Sequence, residues 1–361
     1  MGTRRHFLMA AAALAALPHS SWAAAGSPAY LAAAKDAEGA FAIHGLDARG
    51  ESLFALSLPG RGHAAAAHPS RPEAVAFARR PGSFALVLDC AAGREVARLI
   101  PPNGRQFNGH GVFDAKGDLL MTSEVVAESS EGRVGLWAVD EGYARIGEWS
   151  TGGIGPHDME RLADGTLVVA NGGIVTDPQD RSKLNLGAMR PSLTYLSASG
   201  VVEEVVTLGP ELSANSIRHL ALLPRGGVAF AMQWEGDPAE PVPLLGLHRR
   251  GAAPILCEAP LAEAFAMQGY AGSVAAAGGR IAITSPQGGA IMVFDEGGSH
   301  RATHRRADVC GVAPAAGGLL LTDGLGGIAH LTSQGLRVTR TAPLAWDNHL
   351  VALTGDQVLP A

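Results

Sequence analysis

Five of the chain's 13 histidines and one of its three cysteines fall at the same place in a repeated local pattern. The pattern is a His or its stand-in, a short apolar strand, a small turn ending in Gly, and a second apolar strand. It reads at His63 (RGHAAAAHPSRPEAVAFAR), His110 (NGHGVFDAKGDLLMTSE), His157 (GPHDMERLADGTLVVAN) and His219 (IRHLALLPRGGVAFAMQ). It continues at about Gly272 (YAGSVAAAGGRIAITS), Cys310 (DVCGVAPAAGGLLLTD) and His349 (DNHLVALTGD). Imidazole and thiolate are good ligands for iron, copper or zinc, and ligands converging from separate rigid strands give a preorganised site. No single pair has a diagnostic spacing. The shared register carries the expectation that His63, His110, His157, His219, Cys310 and His349 hold a transition metal, iron or copper. His44, His68, His248, His300, His304 and His330 lie off register and read as surface or packing residues.

The ends of the second strands should rise to the same height, which places Glu124, Asn171, Gln233 and Asp323 near the ligands, with Gln287 in a longer loop. Carboxylates and amides there complete a metal's shell or accept the second N–H of a ligating imidazole. Asp158, Arg218 and Asp347, next to anchors, suit the same part. Two other chemistries stay open. A His could act as the general base of a propeller hydrolase or lactonase-like enzyme, with Glu124 or Asp323 nearby. Alternatively, the Gly62-His63 and Gly109-His110 pairs could brace their blades, as Gly-His pairs do in WD-type propellers, in a protein-binding scaffold. Against bracing, Trp-Asp occurs only at Trp346-Asp347, and the anchors at His157, His219 and His349 lack the preceding Gly.

The elements that must position these residues are strands. Apolar runs of four to eight residues are separated by Gly, Pro and Asp turns, with almost no helical period, and the 47 Gly fit many tight turns. The anchors are spaced by 47, 47, 62, 53, 38 and 39 residues, a range that suits four-stranded propeller blades. Seven anchors predict an all-β, seven-bladed β-propeller; splitting the two short units differently would give six or eight. Only one short strand follows His349, whereas three precede His63, near Tyr30–Ala34, Phe41–Leu46 and Ser52–Leu58. One blade should therefore be a clasp of N- and C-terminal strands, which removes free sheet edges. The 62-residue gap reflects an insertion from about Ile174 to Pro191, a candidate lid carrying Arg181, Lys183 and Asn185.

Arg4 and Arg5, an Ala/Leu-rich run from about Met9 to Leu17 and a small-residue site near Ala23 read as a twin-arginine signal peptide, residues 1–23. Residues 24–361 then form a single propeller domain, exported to the periplasm, with no membrane span after cleavage. Removing Arg4 and Arg5 takes the net charge from -6 to -8. Basic residues are scattered, which argues against nucleic acid as a partner. Three cysteines without a CxxC pair leave at least one thiol unpaired. There is no haem-attachment motif and no nucleotide-binding motif.

GIGPHDMERLADGTLVVANGGI, KLNL with PSLTYL after it, SIRHLALL, AMQWEG, GYAGSV, SPQGG, DVCGVA and WDNHL run across nearly the whole mature chain. Together they resemble a bacterial family of twin-arginine-exported proteins of unknown function, expected to be seven-bladed propellers and typically encoded beside imelysin-like and di-haem peroxidase-like proteins. The resemblance implies a periplasmic role in iron acquisition, as metal carrier or redox component, alongside other iron-uptake proteins. It supplies no catalytic residues.

Overall fold

The computed structural model describes residues 21–79 and 84–353, so most of the expected signal peptide lies outside the described residues. Strands are numbered in chain order. β1 (Tyr30–Asp36), β2 (Phe41–Leu46) and β3 (Ser52–Leu58) begin blade 1. Blade 2 is β4 (Gly62–Ala67), β5 (Glu73–Ala78), β6 (Ala85–Asp89) and β7 (Arg94–Leu99), and blade 3 is β8 (Arg105–Phe113), β9 (Leu119–Val126), β10 (Glu131–Ala138) and β11 (Ala144–Ile154). Blade 4 is β12 (Pro156–Arg161), β13 (Leu167–Asn171), β14 (Ser192–Leu196) and β15 (Val202–Thr207). Blade 5 is β16 (Asn215–Leu223), β17 (Gly227–Trp234), β18 (Leu245–Arg249) and the short β19 (Ile255–Leu256). Blade 6 is β20 (Ser273–Ala277), β21 (Arg280–Ser285), β22 (Ala290–Asp295) and β23 (His300–Arg305). Blade 7 is β24 (Val309–Ala315), β25 (Gly318–Asp323), β26 (Gly327–Thr332) and β27 (Gly335–Thr341). β28 (Leu344–Ala352) then returns to blade 1, giving the sheet order β28-β1-β2-β3.

This is a seven-bladed β-propeller whose first blade takes its innermost strand from the C-terminal end. Ala32 pairs with Leu350 and Tyr30 with Ala352, so the ring is closed by main-chain hydrogen bonds. Composition follows the radius. The middle strands are covered on both faces and run continuously apolar, as in β6 (ALVLD, buried at Ala85–Leu88). The outermost strand of the same blade, β7 (REVARL), is mostly exposed. Apolar layers fill the gaps between neighbouring blades: Phe77 and Val87 of blade 2 pack with Phe107, Leu120 and Trp137 of blade 3. Removing a side chain such as Phe77, fully buried, would cost about 3–5 kcal/mol.

One local irregularity decides where the anchor side chains go. In β4, β8, β12, β16, β24 and β28 the ladder to the next strand slips at the anchor. In β4, for example, Gly62 pairs with Ala78 and Ala65 with Ala76, so the inner strand carries one residue more than its partner across His63. Such a bulge breaks the alternation of side chains and re-aims one toward the axis. β20, which bears no ligand-type anchor, pairs with β21 without a slip. Among the described residues, no helix is long and apolar enough to cross a membrane.

Candidate metal centre

Five adjacent blades, 1 to 5, each send one imidazole to the axis: His349 from β28, His63 from β4, His110 from β8, His157 from β12 and His219 from β16. His110 is central. Its ring centroid lies 4.9 Å from that of His63, 4.7 Å from His157, 5.8 Å from His219 and 4.8 Å from His349. The other four close a circuit around it, with steps of 5.4 Å from His63 to His157, 4.8 Å to His219, 4.8 Å to His349 and 4.5 Å back to His63. All five are buried.

The nitrogen donors form two overlapping triads, His63–His110–His349 and His110–His157–His219, each with its ligand atoms within 4.8 Å of one another. Nε2 of His110 stands 3.2 Å from Nε2 of His63. Two nitrogens each about 2.0–2.1 Å from one ion are that far apart at an angle of roughly 100°, close to tetrahedral. Asp158 Oδ1 lies 3.1 Å from His110 Nδ1 and accepts a hydrogen bond from its N–H, which leaves the His110 Nε2 lone pair to accept from His63 Nε2. Asp158 is held in turn by the Met159 and Leu220 N–H groups, at 2.9 and 3.0 Å. Burial opposes its charge, but His110 and the Leu220 N–H outweigh that and hold the carboxyl below its ordinary value.

Four further ring nitrogens find no partner among the described residues. Nδ1 of His63, His157 and His219 and Nε2 of His349 are buried without a hydrogen-bond partner. Each such atom costs about 1–3 kcal/mol in a folded interior. Protonation is no escape. Burial first, and then the neighbouring imidazoles, push His63, His157 and His219 well below the usual histidine range and His349 down to about 3. These four rings are therefore neutral at pH 7, the state in which imidazole binds a metal with no proton to displace.

A glycine makes the packing possible. Gly109 has φ +98°, and a Cβ there would lie 2.6 Å from the His63 ring. The Gly109-His110 pair thus lets the His63 imidazole lie against the backbone of blade 3, a role different from blade bracing.

The histidine layer divides the channel. Above it lies a cavity of about 360 Å³, floored by His63, His157 and His219 and lined by residues that precede the anchors, among them Arg218 and Asn348. Below it lies one of about 260 Å³ lined by residues that follow the anchors, such as Ala64–Ala67 and Val274–Ala276, with Asp158 and Glu160. Burial, reinforced by the charge of Asp158, pushes the Glu160 carboxyl up to about 8. The insertion between β13 and β14 straps the upper cavity. Lys183 pairs with Glu235 of blade 5, and Gln106 of blade 3 donates to Pro178 O. Arg181 and Lys183 line the cavity, while Asn185 braces the strap, accepting from Val175 N and donating to Gly173 O.

Several expected site residues are not brought to the cluster. Cys310 sits on a bulged inner strand, but its Sγ turns into the layer between blades 7 and 1, donating toward Asp347 O at 3.2 Å, and burial pushes the thiol up to about 12. Glu124 is fully buried inside blade 3, bonded to Arg145 Nη1 and Thr122 Oγ1, both at 2.7 Å. Asn171 bridges blades 3 and 4, accepting from Thr151 Oγ1 and donating to Thr194 Oγ1. Asp323 pairs with Arg306 at 2.6 Å and caps the turn at Leu325 and Gly327. Asp347 pairs with Arg61 at 2.5 Å. Second-strand ends in a propeller serve inter-blade bonding as readily as the axis, which sequence register alone does not distinguish. A hydrolase built on Glu124 or Asp323 therefore has neither carboxylate at its histidines. Gln233 and Arg218 do line the upper cavity. Lining residues that the register did not single out include Arg79, just past the second strand of blade 2, Tyr270, Asn348, and Glu160, three residues past His157.

Residues 56–353 match the model of a family described as protein of unknown function (DUF1513). Among curated proteins none matches the chain. Solved structures that resemble it include a functionally unknown protein from Desulfotomaculum acetoxidans, at 9% identity and TM-score 0.61, covering 91% of this chain and all of that one. Another is BamB from Moraxella catarrhalis, at 10% identity and TM-score 0.53, covering 86% of this chain and 82% of that one. At such identities the likeness is one of fold.

Proposed function

The chain belongs to this DUF1513 family of unknown function, and from its five-histidine cluster we propose that it is a periplasmic propeller that binds a transition metal, iron or copper. Its role on this reading is iron acquisition, as a metal carrier or a redox component working with other periplasmic iron-uptake proteins. The observation that carries the proposal is the gathering of five buried imidazoles into two overlapping triads, four of whose rings each keep a buried nitrogen with no partner among the described residues. Native interiors satisfy the large majority of buried polar atoms. Four exceptions on one axis, in rings that burial keeps neutral, make sense as ligands whose partner is an ion. An all-imidazole donor set suits copper, iron or zinc. Asp158 orients His110, and the cavities on either side give a bound ion room for an exogenous ligand. Export is supported by Arg4, Arg5 and the apolar run after them, and iron by the family resemblance.

The test is a titration of chelator-stripped protein with Fe²⁺ and with Cu²⁺ under anaerobic and aerobic conditions. Uptake of one or two equivalents, lost in the His157→Ala/His219→Ala double variant, is expected. Failure to bind either ion at micromolar concentration refutes the proposal.

A further inference from the structure

Three guanidiniums line the upper cavity with no counter-ion. Arg79 follows the second strand of blade 2, Arg181 lies in the strap, and Arg218 immediately precedes His219. Among the described residues, none of the three has a carboxylate within ion-pair distance, whereas Lys183, the fourth cation of the cavity, is matched by Glu235. Arg218 is only 6% exposed, and its Nε is buried with no hydrogen-bond partner. Arg181 is held at φ +66°, a backbone region that non-glycine residues rarely occupy. Burial, then the charges of Arg79 and Arg61, push its guanidinium below its ordinary value. A buried cation without a partner is strongly destabilising, which is the position of Arg218; Arg79 is half-buried and Arg181 exposed, and both add like charge around the same cavity. Strain and unpaired charge of this kind mark ligand sites.

We propose that the upper cavity binds a small multiply charged carboxylate chelator, whose carboxylates pair with Arg79, Arg181 and Arg218 above the histidine floor. The guanidiniums come from three separate elements, so they suit a ligand that carries several anionic groups some distance apart better than one compact oxyanion. Guanidinium is the side chain that grips carboxylates in a two-point fork. Gln233, Gln287, Asn348 and Tyr270 add neutral hydrogen-bonding groups for hydroxyl or remaining carboxyl oxygens. A volume of about 360 Å³ falls at the lower end of small-molecule sites, roughly 300–1,000 Å³. The choice of a chelating anion rests on the metal reading: a carboxylate left free by the arginines would complete the shell of an ion held by His63, His157 and His219 from below. The cation-rich cavity itself does not depend on that reading.

Citrate is the probe. Isothermal titration of the metal-stripped and the metal-loaded full chain should show one citrate bound, weakening as salt is raised, and binding at least about tenfold more tightly than sulfate or phosphate. Arg181→Gln and Arg218→Gln should each weaken citrate about ten- to hundredfold, with Arg218→Lys intermediate, and thermal unfolding of each variant checks that it is folded. Absence of citrate binding in a protein that takes up metal overturns this inference and leaves the metal centre standing. Citrate binding that requires the arginines, in a protein that binds no metal, upholds the anion site and overturns the metal reading. Phosphate or sulfate binding as tightly as citrate, or arginine variants that bind citrate like the wild type, overturns the carboxylate assignment.

Discussion

Replacing His219 by Leu separates a ligand from a brace, because the two roles predict opposite signs in the metal-free protein. The ring of His219 stands 4.8 Å from those of His157 and His349, and its Nδ1 is buried without a partner. Leucine is apolar and of similar size, so the substitution deletes an unsatisfied polar atom worth about 1–3 kcal/mol. It also forfeits ring–ring contacts worth roughly 1 kcal/mol. The net expectation is a metal-free protein stabilised by about 1 kcal/mol, or roughly 2 °C in Tm for a domain of this size. The same variant should lose most of the metal-induced rise in stability, which at a hundredfold excess over Kd is about 2.7 kcal/mol in the wild type. Thermal and urea unfolding with and without metal read both numbers. A His219→Leu protein that is destabilised by about 1 kcal/mol or more, yet responds to metal like the wild type, would show that the ring braces the blades and holds no ion.

The remaining predictions concern the support of the cluster. Asp158→Asn removes the anionic acceptor of the His110 Nδ1–H and should weaken metal binding about ten- to hundredfold in a competition titration; an unchanged affinity would make Asp158 a purely structural cap. Metal-free protein should lose stability as pH falls from about 6.5. His349 has a folded pKa of about 3 against 6.5 unfolded, so the unfolded chain binds more protons in that window, and at pH 5 the loss from this residue is about 2 kcal/mol relative to pH 7. Urea midpoints that stay level between pH 7 and 5 would contradict it. Gly109→Ala should displace the His63 ring and lower metal affinity while the propeller still folds, as circular dichroism beside a metal titration would show. Cys310, buried and pushed up to about 12, should resist thiol reagents at pH 8 until the protein unfolds, and Cys310→Ser should bind the same number of ions; a fast-reacting thiol here would place it at the surface.

The propeller was readable because its cause is periodic. Each blade repeats an apolar inner hairpin, and the three unmatched strands before His63 require a partner from the other end, which β28 supplies. The histidines were readable for the same reason: a bulge recurs at each of their strands, so equal register means equal direction. The rule failed where register and direction part. Cys310 shares the bulge, yet its small side chain turns into the apolar layer around Leu320 and Trp346. Glu124 and Asn171 share the second-strand position with Gln233, but the first two bond within and between blades while the third reaches the cavity. Those choices depend on partners far along the chain, Arg145 for Glu124 and Thr194 for Asn171, which no local pattern announces. Asp158 was legible because it adjoins an anchor and inherits its height.

The most direct test of the central claim is an anomalous-difference map from crystals of the metal-loaded protein, recorded at the absorption edge of the bound element. A peak is expected on the propeller axis, about 2.0–2.2 Å from ring nitrogens of at least three of His63, His110, His157, His219 and His349. A loaded crystal whose only peaks lie away from these rings would contradict it.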